Sequence, residues 1–147
     1  MGATGRDVAL NLKRIRTAAG LTQAELSARI SDLGYKILPA SIGKIETQDR
    51  RVEVDDLMVL AVALDVSPLG LMMPWTSRPT DTVELTAHSG HVLAYDVWRW
   101  AMGSVPIETR EQYEDALSDV GVFRDHSVPA WMQVTTSSPA YDALYRS

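Results

Sequence analysis

The chain has 147 residues, of which 46% are hydrophobic and 22% charged, with no cysteine and a net charge of −5. That length suits one domain, or a small domain with an appendage, and the composition excludes wholesale disorder. Without cysteine there is no disulfide framework, no thiolate nucleophile and no cysteine-based zinc site. The longest apolar run, residues 57–64, is too short to span a bilayer, so no membrane partner is expected. Residues 1–5 lack the basic-then-apolar pattern of a signal peptide, which makes the cytoplasm the expected location.

An acidic total speaks against a nucleic-acid partner, but the charge is unevenly distributed. Residues 1–51 hold nine basic and five acidic residues, a balance of +4, whereas 52–147 hold five and fourteen, a balance of −9. Such asymmetry between halves suggests a polyanion-binding half joined to something else.

Residues 4–19 read as an amphipathic helix, with Val8, Leu12, Ile15 and Ala19 on one face. Thr4 and Asp7 have the spacing of a cap, and Gly20 supplies a left-handed stop. Thr22-Gln23-Ala24-Glu25 is a full capping box that opens a second helix, with Leu26 and Ile30 inward and an end near Ser31. A connection through Gly34 leads to a short third helix, 39–46, with proline at its first position. There Ile42 and Ile45 share one face, leaving Ala40, Ser41 and Lys44 outward. Asp55 is the expected cap of a fourth helix over 56–64, and Ser67-Pro68 opens a fifth that Pro74 stops. Five short helices with short connections predict an all-α domain over residues 4–74.

Residues 75–82 read as a linker. Beyond it, Val83-Glu84-Leu85-Thr86 alternates like a short strand or an extended arm. A helix is expected over 91–102, stopped by Gly103 and Pro106, and another from the Thr109–Gln112 capping box to about Val122. Residues 83–126 thus form a smaller, mainly helical accessory segment, with 127–147 as a flexible tail.

The segment from Gly20 to Glu46 carries the chemistry. Two capped helices meet closely, and the second presents small side chains with a lysine, which is what close approach to base edges in a major groove requires. The residues Gly20-Leu21-Thr22-Gln23-Ala24-Glu25-Leu26 and Ser41-Ile42-Gly43-Lys44-Ile45-Glu46 resemble the Cro/repressor-like (XRE) helix-turn-helix family. Leu12 to Ile15, Asp55-Asp56-Leu57 and Val66-Ser67-Pro68 extend the likeness over roughly residues 5–73.

The resemblance implies a five-helix, lambda-repressor-like domain of a bacterial or phage transcriptional regulator, most commonly a repressor, whose partner is double-stranded DNA. It further implies that Gln23 contacts a phosphate while Pro39, Ala40, Ser41 and Lys44 lie at the groove. Arg50 and Arg51 suit flanking phosphates, and Lys36 adds a candidate backbone contact from a connection longer than the family's usual turn. Gly43 inside the third helix costs about 1 kcal/mol, which a close approach to DNA or to the second helix would explain. Glu46 is expected to tie the third helix to an arginine, with Arg14 and Arg16 both candidates.

Outside this domain, Trp98 and Trp100 stand about 200° apart on a helix, too far to share one face easily. Either they divide between two packing surfaces, or they anchor a partner or a second copy as interface residues. A homodimer on a palindromic site is the family default. An alternative is an antitoxin-like protein whose C-terminal half binds a protein partner while its helix-turn-helix autoregulates. An enzyme is not expected: His88, His91 and Asp96 make a poor metal or acid–base signal, and no phosphate-cradling loop, nucleophile elbow or cofactor motif occurs.

Overall fold

The computed structural model describes residues 1–107 and 116–133. Contacts divide the chain into two compact units, residues 1–95 and 96–147. The first unit begins with five helices: α1 (Ala3–Ala18), α2 (Gln23–Asp32), α3 (Pro39–Glu46), α4 (Val54–Ala63) and α5 (Pro68–Met72). Their arrangement follows from one shared core. Leu12 of α1, Leu26 and Ile30 of α2, Ile42 and Ile45 of α3, Leu60 of α4 and Leu71 of α5 are all essentially inaccessible and packed together.

The helix ends show which local signals win. At α2 the Thr22 hydroxyl accepts from the Glu25 N–H while the Glu25 carboxylate accepts from the Thr22 N–H, the reciprocal box expected from sequence. These bonds hold the Glu25 carboxyl below the usual glutamate range. Ser67 caps α5 by accepting from the Gly70 N–H, and Gly20 takes the left-handed conformation after α1. Two expected caps fail. The N-cap of α1 is Gly2, with Thr4 and Asp7 inside the helix, and the N-cap of α4 is Glu53, with Asp55 in its first turn. Thr4 and Asp55 are displaced because the helices start earlier than the capping signals, and neither true cap uses a side chain.

Sequence places a linker at 75–82 and a separate segment from 83, but the compact unit continues to Tyr95. Strands β1 (Thr82–Glu84) and β2 (His91–Leu93) form an antiparallel hairpin with Val83 opposite Val92. Ala87 and Gly90, both at positive φ, turn the chain between them. The Ala94 and Tyr95 N–H groups close the hairpin onto the carbonyls of Asp81 and Pro79. The helix expected over 91–102 therefore loses its first three residues to strand pairing and runs as α6 (Ala94–Ala101). Thr86 and Glu84 lash the hairpin to α1: the Thr86 hydroxyl accepts from the Thr4 N–H, and Glu84 pairs with Arg6.

Asn11, one of two buried polar residues in the domain, joins the ends of the helical layer. Its amide donates to the carbonyls of Leu71 (3.1 Å) and Met73 (2.8 Å), which the end of α5 leaves without helical partners. Its oxygen accepts from Arg14, whose guanidinium lies 4.0 Å from the centroid of the Trp75 ring.

In the second unit, Val97 of α6 is fully buried, and Trp98 and Trp100 are both half-buried. Gly103 ends the turn after α6 at φ +70°, where a Cβ would collide with the Val128 side chain. Helix α7 (Ala116–Ser127) and a 3₁₀ turn, α8 in chain order (Ala130–Gln133), follow. The expected capping box at Thr109 and the tail beyond residue 133 lie outside the described residues.

Replacing Asn11 by leucine keeps the branched outline, with bulkier methyls, but strands two buried carbonyls, so urea unfolding is expected to show a loss of at least about 1–3 kcal/mol. Asn11→Asp should cost more, because it sets a carboxylate oxygen against those same carbonyls.

Candidate nucleic-acid interface

The second and third helices are joined by residues 33–38, and the length of this connection has a structural reason. Ile37 is buried in the core, and its carbonyl accepts a 2.7 Å bond from the Ser27 hydroxyl. The connection is thereby pinned to α2 one residue before the cap of α3, while Tyr35, Lys36 and Leu38 stay exposed.

Because Ile42 and Ile45 face the core, α3 turns its other side outward. Pro39, Ala40 and Lys44 are exposed and Ser41 is half-exposed, so the four residues expected at the groove occupy one accessible helix. Lys36 and Arg51 are also exposed, on the two segments that lead into and away from α3.

Glu46 fixes that helix. Its carboxylate takes a two-pronged pair from Arg16 of α1, with Nε 2.6 Å from Oε1 and Nη2 2.9 Å from Oε2. Geometry thus chooses Arg16 over Arg14, which is committed to Asn11 and Trp75. The remaining Arg16 nitrogen donates to the Leu21 carbonyl at 2.6 Å, so one guanidinium clamps α1, the α1–α2 turn and α3. Side-chain exposures of 12% for Arg16 and 4% for Glu46 put the pair largely out of water. Burial acts to raise the Glu46 carboxyl, but bonds from Arg16 and Gln23, with the charges of Arg16 and Lys13, outweigh it and hold the group below the ordinary glutamate range. Arg16 is shifted upward, chiefly by its bond to Glu46.

Gln23, the first residue of α2, is drawn into the same cluster by donating from Nε2 to Glu46 Oε2 at 3.0 Å. It lies across Gly43: a Cβ there would come within 3.1 Å of Gln23 Oε1. The close approach to helix two offered as one explanation for this glycine is therefore present. An amide nitrogen carries two hydrogens, so Gln23 keeps a second donor after the bond to Glu46.

Arg50 is placed differently from its neighbour. Its Nη2 lies 2.7 Å from Oδ2 of Asp56, whose side chain is 8% exposed, and so it braces α4. Sequence reasoning missed the Arg16 clamp on Leu21, the Asn11 bridge and the Arg50–Asp56 pair; only the last had a visible signal, an acid six residues after an arginine. His88 is half-buried and His91 exposed on the hairpin, and among the described residues no group of three or more acidic or histidine side chains is placed to hold a metal ion. No helix among the described residues is long and apolar enough to cross a membrane.

The Glu46 carboxylate predicts acid sensitivity with a definite sign. Its folded value lies below its unfolded value, so its contribution is complete above the ordinary glutamate range and is lost as falling pH protonates it. Glu46→Gln should lower stability at neutral pH and flatten the acid limb of a stability–pH curve, measured by urea unfolding at a series of pH values.

Among models of known protein families, the helix-turn-helix family matches residues 12–71, a span that holds α2, α3 and α4 entire. Searches of curated proteins and of solved structures give no match. With its core, its capping box and its outward third helix in place, residues 12–71 form a helix-turn-helix of the Cro/repressor (XRE) type, a family of DNA-binding transcriptional regulators.

Proposed function

We propose that the protein is a sequence-specific regulator of repressor type that lays α3 in the major groove of double-stranded DNA. The observation that carries this reading is the accessibility of Pro39, Ala40, Ser41 and Lys44 on a helix fixed from behind by Ile42, Ile45 and Glu46. Small side chains admit the backbone to the groove floor, and the hydroxyl of Ser41 and the ammonium of Lys44 supply donors for base edges. Lys36, Arg51 and the second amide hydrogen of Gln23 serve phosphates and so set the register of the helix without reading sequence. Arg50 adds to that set only with the donors it does not give to Asp56.

The accessory segment suits a different partner. Residues 52–147 carry a balance of −9, which repels a phosphate backbone, and the accessory segment within them, 83–126, includes Trp98 and Trp100. We assign that segment to contact with protein, a second copy of the chain being the occupant that a palindromic site would require.

Selection from random duplexes is expected to enrich one motif, whose symmetry reports whether one or two copies bind; absence of any enriched motif would refute the reading. On the enriched duplex, Lys44→Ala should weaken binding by about 1–3 kcal/mol and relax preference at one position. Arg51→Ala should weaken binding to all sequences alike and reduce the slope of log K against log salt by about one. Arg50→Ala should instead lower thermal stability, because it leaves the nearly buried Asp56 carboxylate without its arginine.

A further inference from the structure

Leu38 is explained neither by the core nor by helix chemistry. It is the N-cap of α3, in extended conformation, and makes no capping bond. Serine, threonine, aspartate and asparagine are favoured at such a position because their oxygens accept from the first free N–H groups, which leucine cannot do. Nor is it buried, since 54% of it is exposed.

Its backbone is nevertheless held on both sides. The preceding carbonyl, of Ile37, is bonded to Ser27, and the Leu38 carbonyl itself accepts from the N–H groups of Ser41 (2.9 Å) and Ile42 (3.1 Å). Pro39 then fixes the next φ. An apolar side chain is thus presented to the surroundings from a rigid point at the head of α3, beside the exposed Pro39 and Ala40. The hydrogen-bonding side chains of the outward face, Ser41 and Lys44, come after this apolar head.

The first residues of the second helix in a helix-turn-helix are those that meet base edges. In the major groove only thymine, among the four standard bases, offers an apolar group there, its C5 methyl. We propose that Leu38 is a specificity-determining residue that packs on a thymine methyl and so fixes thymine at one position of each site. This rests on the reading of α3 as the groove helix.

The test uses the full chain and the duplex enriched by selection, with each thymine replaced in turn by deoxyuridine, which pairs identically but lacks the methyl. Synthetic duplexes carry no other 5-methyl group, so a methyl that is read is thymine's. Burial of one methyl corresponds to about fourfold in affinity. Uracil at one thymine of each site should therefore weaken the wild-type protein about fourfold, and Leu38→Ala should bind the thymine duplex more weakly and be indifferent to that exchange. Leu38→Ser, which offers the missing cap acceptor, should keep or raise the melting temperature and yet lose the same methyl sensitivity, separating recognition from folding. The inference is overturned if no uracil exchange weakens the wild-type protein, or if every exchange weakens wild type and Leu38→Ala equally. Failure to enrich any duplex would bring down the underlying DNA reading itself, an outcome distinct from both.

Discussion

One guanidinium organises this domain. Arg16 projects from α1, yet its donors end on the Leu21 carbonyl and on both oxygens of Glu46, so α3 is oriented by a side chain from α1. Isoleucines 42 and 45 would hold α3 against the core in several rotations about their contacts, since apolar packing is weakly directional. A two-pronged ion pair with little water around it is not so tolerant, and it sets the rotation. Gln23 and Gly43 follow from that choice. The glutamine lies closely over a residue with no side chain, where a Cβ would crowd it, and it reaches the same Glu46 carboxylate that Arg16 holds.

A second set of bonds works at the far end of the helical layer. Asn11, Arg14 and Trp75 tie α1 to the end of α5, and Arg6 and Thr4 tie its first turn to the hairpin. Helix α1 is consequently fixed along its length by polar contacts as well as by Leu12. It serves as the spine on which both the helix-turn-helix and the hairpin are mounted.

The parts of this arrangement visible in the sequence are those set by neighbours within one turn. The Thr22–Glu25 box, the left-handed Gly20, the proline at the head of α3 and the pairing of Ile42 with Ile45 are local, and each is present. What stayed hidden depends on distance. Arg14 and Arg16 are two residues apart on α1, and only the docking of α3 decides which one meets Glu46. Residues 91–93 have helical company on their C-terminal side, but hydrogen bonds to residues 82–84 claim them as strand. Asn11 carries no local signal of its role, because its acceptors on Leu71 and Met73 lie 60 and 62 residues away. Thr4 and Asp55 misled in the opposite way, as sound capping residues overtaken by helices that begin before them.

The family pattern ends at residue 71, but the lashings of α1 do not. The Met73 carbonyl, the Trp75 ring, Glu84 and Thr86 all lie beyond it and all grip the first fourteen residues. In evolutionary terms, a recombination at the edge of the recognised motif would carry away the outward face of α3 while leaving its braces behind. The unit that can be inherited or exchanged as a working piece is therefore longer than the unit that sequence similarity marks out.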